Sequence, residues 1–415
     1  MIPTSATARV LIALVLAAAS GLIFAWIAPQ QAATVADVLQ PFGKLWINAL
    51  QMTVVPLVGA LVTLGVGTAR DAAASGRMAR RALIVFFVLL AFAATVAALV
   101  APAVFHLFPR NPELAQALAS SSAAVPKTPA VSDWLGNIIP SNAVNAAAQG
   151  AMLPLVVFSL FLGFALTKID HDRAQRVFDL LHGIADAMTQ IVRWVLVVAP
   201  LGVFALVFAV TARAGVHMLA ALAVYLLTAI GLYLLLAITM YAVVAVAGRD
   251  PLSRFMRAAV PAQAVAMSTQ SSLASLPAML DATLGTLGHP RRVPSLVLPM
   301  AVSLFRLTSP VQYMVVAAFI AWVHGVDITV LQWAVGIALA VVVSLGSIGL
   351  PGQASFMITN LPITQALGLP VEPLGVLMAL DTIPDVFATL GNVTGDLAAE
   401  NVAARGERDD VVNAD

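Results

Sequence analysis

Cysteine is absent from the 415 residues, which excludes disulfides, thiolate metal sites and cysteine nucleophiles and leaves the redox compartment open. Charge is scarce as well: Asp, Glu, Lys and Arg make up 10% of the chain, against about a quarter in soluble domains. Set beside 61% hydrophobic residues and a mean hydropathy of +0.97, that scarcity rules out a water-soluble globule and indicates an integral membrane protein with many crossings. The net charge of +1 offers no cationic surface for phosphates, so no nucleic-acid partner is expected. Leu350-Pro351-Gly352-Gln353 lacks the GK[ST] of a nucleotide-binding loop, the six histidines show no HExxH spacing, and GxSxG does not occur. An ATP-driven pump is therefore unsupported, and intramembrane enzymes are a weak class. What is abundant, inside so apolar a chain, is glycine (26) and proline (24). Helices must often be broken, which at membrane depth is tolerated only where the freed backbone faces protein or water.

Residues 10–28 form a first apolar run, with Arg9 before it and a loop free of Lys and Arg, 30–40, after it. A signal peptide is the alternative, but its charged region would hold one arginine, and a retained helix is the better reading. A second run, 45–66, ends in a loop holding Arg70, Arg77, Arg80 and Arg81, which the positive-inside rule puts in the cytoplasm. The third, 83–107, leads to a polar stretch, 109–133, expected as a partly flexible external loop. Pro140, Ser141, Asn142 and Gly150 break the fourth region before the run 153–166, which returns to Lys168, Arg173 and Arg176. Helices five, near 191–210, and six, near 218–246, flank a turn carrying Arg213 and Gly215, and the chain returns to Arg249, Arg254 and Arg257.

Residues 258–287 break the pattern, because arginines bound them on both sides: Arg254 and Arg257 before, Arg291 and Arg292 after. The centre, 268–272, is polar, and each half, about 12 to 15 residues, is shorter than the ~20 a spanning helix needs. A re-entrant helical hairpin satisfies all three observations. A seventh segment, 293–323, holds Arg306 in its middle and Pro310 shortly after. A charge there costs about 2.5–3.5 kcal/mol on insertion scales, so it should face protein or water. A second hairpin, 331–369, is interrupted at 344–352 by three glycines and a proline. The last segment, 374–399, carries three aspartates and leads to a charged tail, 400–415, expected to be disordered. Two interrupted hairpins, each before a helix with buried polar groups, point to a transporter site between them.

In the last helix, Asp381, Asp385, Thr389, Asn392 and Asp396 fall within roughly 80° of arc at about 100° per residue. Carboxylates on one stripe need cations, protons, an arginine or a substrate ammonium beside them; for Asp381 and Asp396, a position near the interfaces is the bland alternative. Arg306 has two readings: a packing partner for Asp385, or a fork that holds an anionic substrate group. The cluster Ser268, Thr269, Gln270, Ser271, Ser272 and Ser275 either caps helix ends or lines a site. The histidines, His289 among them, are read as interfacial.

With these residues in view, the chain resembles the dicarboxylate/amino acid:cation symporters, the family of the glutamate transporters and their archaeal aspartate-transporting relatives. DTIPDVFATLGNVTGD at 381–396 is similar to that family's final-helix pattern DxxxDxxRTxxNVTGD; QSSLASLP resembles its first hairpin tip, and SIGLPGQ its second. Weaker echoes at 44–58 and 199–207 extend the similarity over nearly the whole chain. The resemblance implies an all-α polytopic fold of eight transmembrane helices plus two re-entrant hairpins, working as an elevator. It implies scaffold helices at 1–82 and 109–214, the latter including the external loop. The transport domain would take 83–108 and 215–402, with hairpins at 258–288 and 331–369, and a disordered tail would occupy 403–415. It also implies a homotrimer in the inner membrane, no prosthetic cofactor, and sodium or a proton as coupling ion. Carried over by position, Asp385 would bind a substrate amino group and Asn392 a carboxylate, with Thr389 lining the pocket. Ser271, Ser272, Gly349, Pro351 and Gly352 would close it, and Arg306 and Ser309 join the substrate candidates. Ser303, Ser344, Ser347, Asn392 and Asp396 match positions that help ligate sodium.

Two departures stand out. Ala388 occupies the place of the arginine that grips an acidic side chain. In PMAVSLFRLTS at 299–309, Phe305, Arg306, Leu307 and Thr308 replace an Asn-Met-Asp-Gly run, so sodium sites should weaken. The expected function is secondary symport of a small carboxylate, an amino acid or dicarboxylate, driven by a cation gradient. A sodium-independent exchanger or a proton-coupled carrier is the alternative; an anion channel and a substrate sensor are the remote ones.

Overall fold

A computed structural model describes residues 6–74, 76–109, 138–214, 216–346 and 352–406. All regular structure among them is helical. The helices are α1 (Ala6–Ile27), α2 (Pro29–Gln51), α3 (Val54–Ala74), α4 (Arg77–His106), α5 (Ala143–Ala148), α6 (Met152–Leu166), α7 (His171–Val197), α8 (Ala199–Ala214) and α9 (Val216–Ala247). There follow α10 (Leu252–Thr269), α11 (Ser272–Asp281) with a π-turn at Ala282–Thr286, α12 (Arg292–Leu304), α13 (Ser309–His324), α14 (Val330–Gly346), α15 (Gly352–Ala366), α16 (Pro373–Leu380) and α17 (Thr382–Ala403).

Proline decides where several of these helices stop. Its ring lacks an N–H and clashes with the carbonyl four residues back. Pro56, Pro200, Pro310 and Pro384 point back to Met52, Leu196, Arg306 and Leu380, and the chain breaks at or just after each: α2/α3, α7/α8, α12/α13 and α16/α17. The last break bends the axis by 67°.

Several expectations change accordingly. Residues 30–40 are not a loop but the first half of α2, an amphipathic helix that buries Ala32, Ala36, Gly43, Ile47 and Leu50 along one face; apolar content alone hid its period. The helix expected at 191–210 is two, because Pro200 separates the long amphipathic α7 from α8. The segment 293–323 is likewise interrupted, with Arg306 in the unwound link. The tail expected from residue 400 begins later: Glu400 and Asn401 are fully buried in α17. Arg405, also inside the expected tail, accepts through its backbone oxygen from Arg81 and donates to the Val246 carbonyl. The stretch 110–137, Gly215, Ser347, Gly349, Pro351 and 407–415 lie outside the described residues.

Nearly every residue of α13 is enclosed, and every residue of the short α16 is. Helix α13 packs on α4, α9, α14 and α15, while α17 lies against α9, α10 and α12. Elsewhere α1 and α2 pack on α8, and α3 on α6 and α7. Outward faces are apolar: Trp26 is 86% exposed, Leu99 70% and Val246 82%, surface that water would not tolerate but lipid does. Among the described residues five helices are long and apolar enough to cross a membrane, or six if the bent α16–α17 pair counts as one span.

Candidate functional site

Two helix breaks meet at the site. Thr308, in the link between α12 and α13, has lost its helical acceptor, and the carboxamide of Asn392 on α17 replaces it: Thr308 donates to Asn392 Oδ1 from its backbone N at 2.9 Å and its hydroxyl at 3.0 Å. On the opposite side the Arg306 carbonyl, denied its helical donor by Pro310, accepts from the Ser309 amide at 3.0 Å and from the Ser344 hydroxyl at 3.2 Å. The link is thus clamped between α17 and α14. Phe305 and Leu307 point into apolar packing; Phe305 stacks on Phe86 with centroids 4.7 Å apart. Leu307 lies where a side chain at Gly395 would sit, 2.6 Å from an added Cβ. Alternation along the link then turns Arg306 the other way.

That way lies a small, open cavity. Arg306, Thr308, Ser309 and Gln312 form one wall, Asp381, Asp385, Ala388 and Asn392 another, and Tyr233, Ser355 and Phe356 complete it. Arg306 Nη1 donates to the Ser355 hydroxyl at 3.5 Å, and among the described residues no ion pair joins it to either aspartate. Asp385 lies in the first turn of α17, where the helix dipole favours an anion. Asp381 occupies the 67° kink rather than the stripe expected for one continuous helix, and it is 5% exposed. Its carboxylate accepts from Gln312 Nε2 at 2.6 Å, and Gln312 in turn accepts from Asn360 Nδ2 at 3.3 Å.

The remaining candidates are dispersed. Thr389 is buried and donates to the Asp385 carbonyl at 2.9 Å. Ser271 caps α11, accepting from the Ala274 amide at 3.2 Å. The tip turns at Gln270 in the left-handed region (φ 51°), and Gln270 Nε2 reaches the Thr382 carbonyl at 3.5 Å. Ser271 and half-buried Ser272 therefore stand beside the kink, outside the cavity wall. Gly352 opens α15. Ser303 is exposed and bonds its own helix at Pro299, while Ser344 is buried against the link. Asp396 is fully enclosed, and among the described residues neither carboxylate oxygen has a hydrogen-bond partner. A buried carboxylate so placed calls for a cation or a proton. Asn392, four residues earlier, has committed its oxygen to Thr308, leaving its nitrogen as the end that suits an anion. Among the described residues no group of three His, Asp or Glu is arranged to hold a metal ion.

Gln312 on α13, Ser355 and Asn360 on α15 and Tyr233 on α9 belong to the site without a motif that marks them; polar residues inside apolar segments are the available signal. His289, which no motif marks, is enclosed. His289 Nε2 is 2.5 Å from Asp250 Oδ2, and Nδ1 is 2.8 Å from Glu400 Oε1. Asn401 Nδ2 donates to the same Asp250 oxygen at 2.9 Å. Burial pulls the His289 pKa down, but the bonds and charges of Glu400 and then Asp250 outweigh it and hold the pKa above the ordinary 6.5.

The sequence profile of the Sodium:dicarboxylate symporter family matches residues 6–405. Among individual relatives, the chain is 27% identical over 384 residues to the "Proton/glutamate-aspartate symporter" of Escherichia coli (strain K12), covering 90% of this chain and 86% of that one. It is 26% identical over 377 residues to the "Proton/sodium-glutamate symport protein" of Bacillus subtilis (strain 168), covering 89% and 86%. To the "C4-dicarboxylate transport protein 1" of Ralstonia nicotianae it is 30% identical over 377 residues, covering 89% and 87%.

Proposed function

Because this chain belongs to the sodium:dicarboxylate symporter family, a family of membrane transporters rather than enzymes, we propose that it is a secondary active symporter that moves a small carboxylate, amino acid or dicarboxylate, across the inner membrane on a sodium or proton gradient. The observation that carries the reading is the cavity at the meeting of two broken helices, where Arg306 faces Asp381 and Asp385. An ionisable cluster inside an apolar bundle is costly unless it serves a substrate path. In this reading Arg306, Asp385, Thr389, Asn392 and Ser309 bind substrate. Ser271, Ser272, Gly349, Pro351 and Gly352 belong to the two tips that close over it, and Asp396 with Asn392, Ser303, Ser344 and Ser347 receives the coupling cation.

Eight crossings with hairpins at 258–288 and 331–369 require the shorter apolar helices, α1, α6, α8 and α14, to be counted with the long ones. The packing of α13 with α4, α9, α14 and α15, apart from the α1–α2–α8 group, supports a transport domain at 83–108 and 215–402 sliding against a scaffold, in a homotrimer. Proton coupling or exchange is the second reading. Phe305 and Leu307 favour it, because apolar packing fills places that offer sodium no oxygen. Uptake of a labelled amino-acid and dicarboxylate panel by proteoliposomes, under sodium and proton gradients imposed separately, tests both. Uptake indifferent to both gradients would remove symport.

A further inference from the structure

We infer that the substrate is an amino acid with a small, uncharged side chain, carried as a zwitterion, and that Arg306 sets this specificity by holding its single carboxylate. The inference rests on the symporter reading and narrows its substrate class.

The argument is a count of charges. Arg306 is the only Lys or Arg between Arg292 and Arg405, so α13, α15 and α17 bring no other fixed cation to the cavity, and neither does the uncharged stretch 347–351. Residues 258–290, which hold the first hairpin, contain no Lys or Arg, and neither does α9, which supplies Tyr233. Against this one cation stand Asp381 and Asp385, a formal cavity charge of −1 with both ionised. A zwitterion leaves that charge unchanged: its carboxylate meets the guanidinium fork, and its ammonium meets Asp385. A dicarboxylate or an acidic amino acid brings a second carboxylate that finds no cation and two repelling aspartates.

Geometry agrees with the count. Among the described residues Arg306 has only the 3.5 Å side-chain bond to Ser355, so its remaining donors are available to an anion. Asp381 is already engaged by Gln312, which leaves Asp385 as the partner for an ammonium. Ala388 and Phe356 supply apolar wall, suited to a short side chain without charge. An unpaired buried carboxylate should cost of the order of 100-fold in affinity.

The test is competition against labelled L-alanine and L-serine on the full chain in proteoliposomes, with L-glutamate and succinate as competitors. The expected result is binding and uptake of the neutral amino acids, with the acidic competitors about 100-fold weaker. Ala388→Arg, which adds a second cation to the wall, should then admit L-glutamate and narrow the gap at least about tenfold; Arg306→Gln should lose the neutral amino acids. Succinate or L-glutamate preferred by the unaltered chain would overturn the inference and leave symport standing. No uptake of any member of the panel under either gradient would overturn the symporter reading and the inference with it.

Discussion

Replacing His289 by glutamine probes the joint where three separated segments meet. The imidazole side chain and Glu400 are fully enclosed, and Asp250 is 6% exposed. With a carboxylate on each ring nitrogen, both nitrogens must donate, so the ring is held as imidazolium. Asp250 is further supported by Asn401 and by Arg254 at 3.5 Å, while Arg249 acts on Glu400; Arg291 and Arg292 follow His289 at the start of α12. Glutamine keeps one hydrogen bond and no charge, leaving two buried carboxylates in opposition. Breaking a buried pair costs about 3–5 kcal/mol, and the retained bond returns about 1 kcal/mol, so the expected loss is about 2–4 kcal/mol. The pH dependence has a definite sign. Because the folded pKa lies above 6.5, the histidine's contribution is complete below that value and is lost as pH rises through the folded pKa. Thermal unfolding of the detergent-purified chain, followed from about pH 6 to about pH 9, should show a midpoint that falls with pH. His289→Gln should start lower and lack this component. A variant with the midpoint and pH slope of the unaltered protein would refute the reasoning.

Three further outcomes follow from the link between α12 and α13. Gly391→Ala places a Cβ 2.6 Å from Thr308 Cγ2, overpacking worth about 1–3 kcal/mol; substrate binding should weaken, whereas Gly231→Ala, with nothing within 4 Å, should bind normally. Asn392→Ala strips the Thr308 amide of its acceptor, at about 1–3 kcal/mol, and a scintillation binding assay should show at least a tenfold loss, about 1.4 kcal/mol. Asp396→Asn removes the unpartnered buried charge, so the cation dependence of substrate binding should flatten in the same assay while thermal stability without added cation is kept or rises.

Much of the site was legible because short motifs keep their order in the chain. Asp385, Asn392 and Asp396 in the last helix, Arg306 in an apolar segment and the two interrupted hairpins all stand out as polar residues where hydropathy allows few. The 67° kink at Asp381 was not legible from the stripe, since an angular projection assumes a straight axis; Pro384 carried the signal, through the carbonyl of Leu380. Gln312 and Asn360 were missed for a different reason. Uncharged amides are unremarkable in sequence, and their value here comes from closing a bond chain onto Asp381.

Composition and motif order determined a polytopic helical membrane protein of the symporter family, because apolar length and the placement of scarce charge act locally along the chain. Which charges meet was decided only by tertiary structure. His289, Asp250 and Glu400 are far apart in sequence and yet exclude water together, and Arg306 faces two aspartates because Phe305 and Leu307 are anchored on its other side. Burial and pairing depend on neighbours brought in from distant segments, and a one-dimensional pattern carries no record of them.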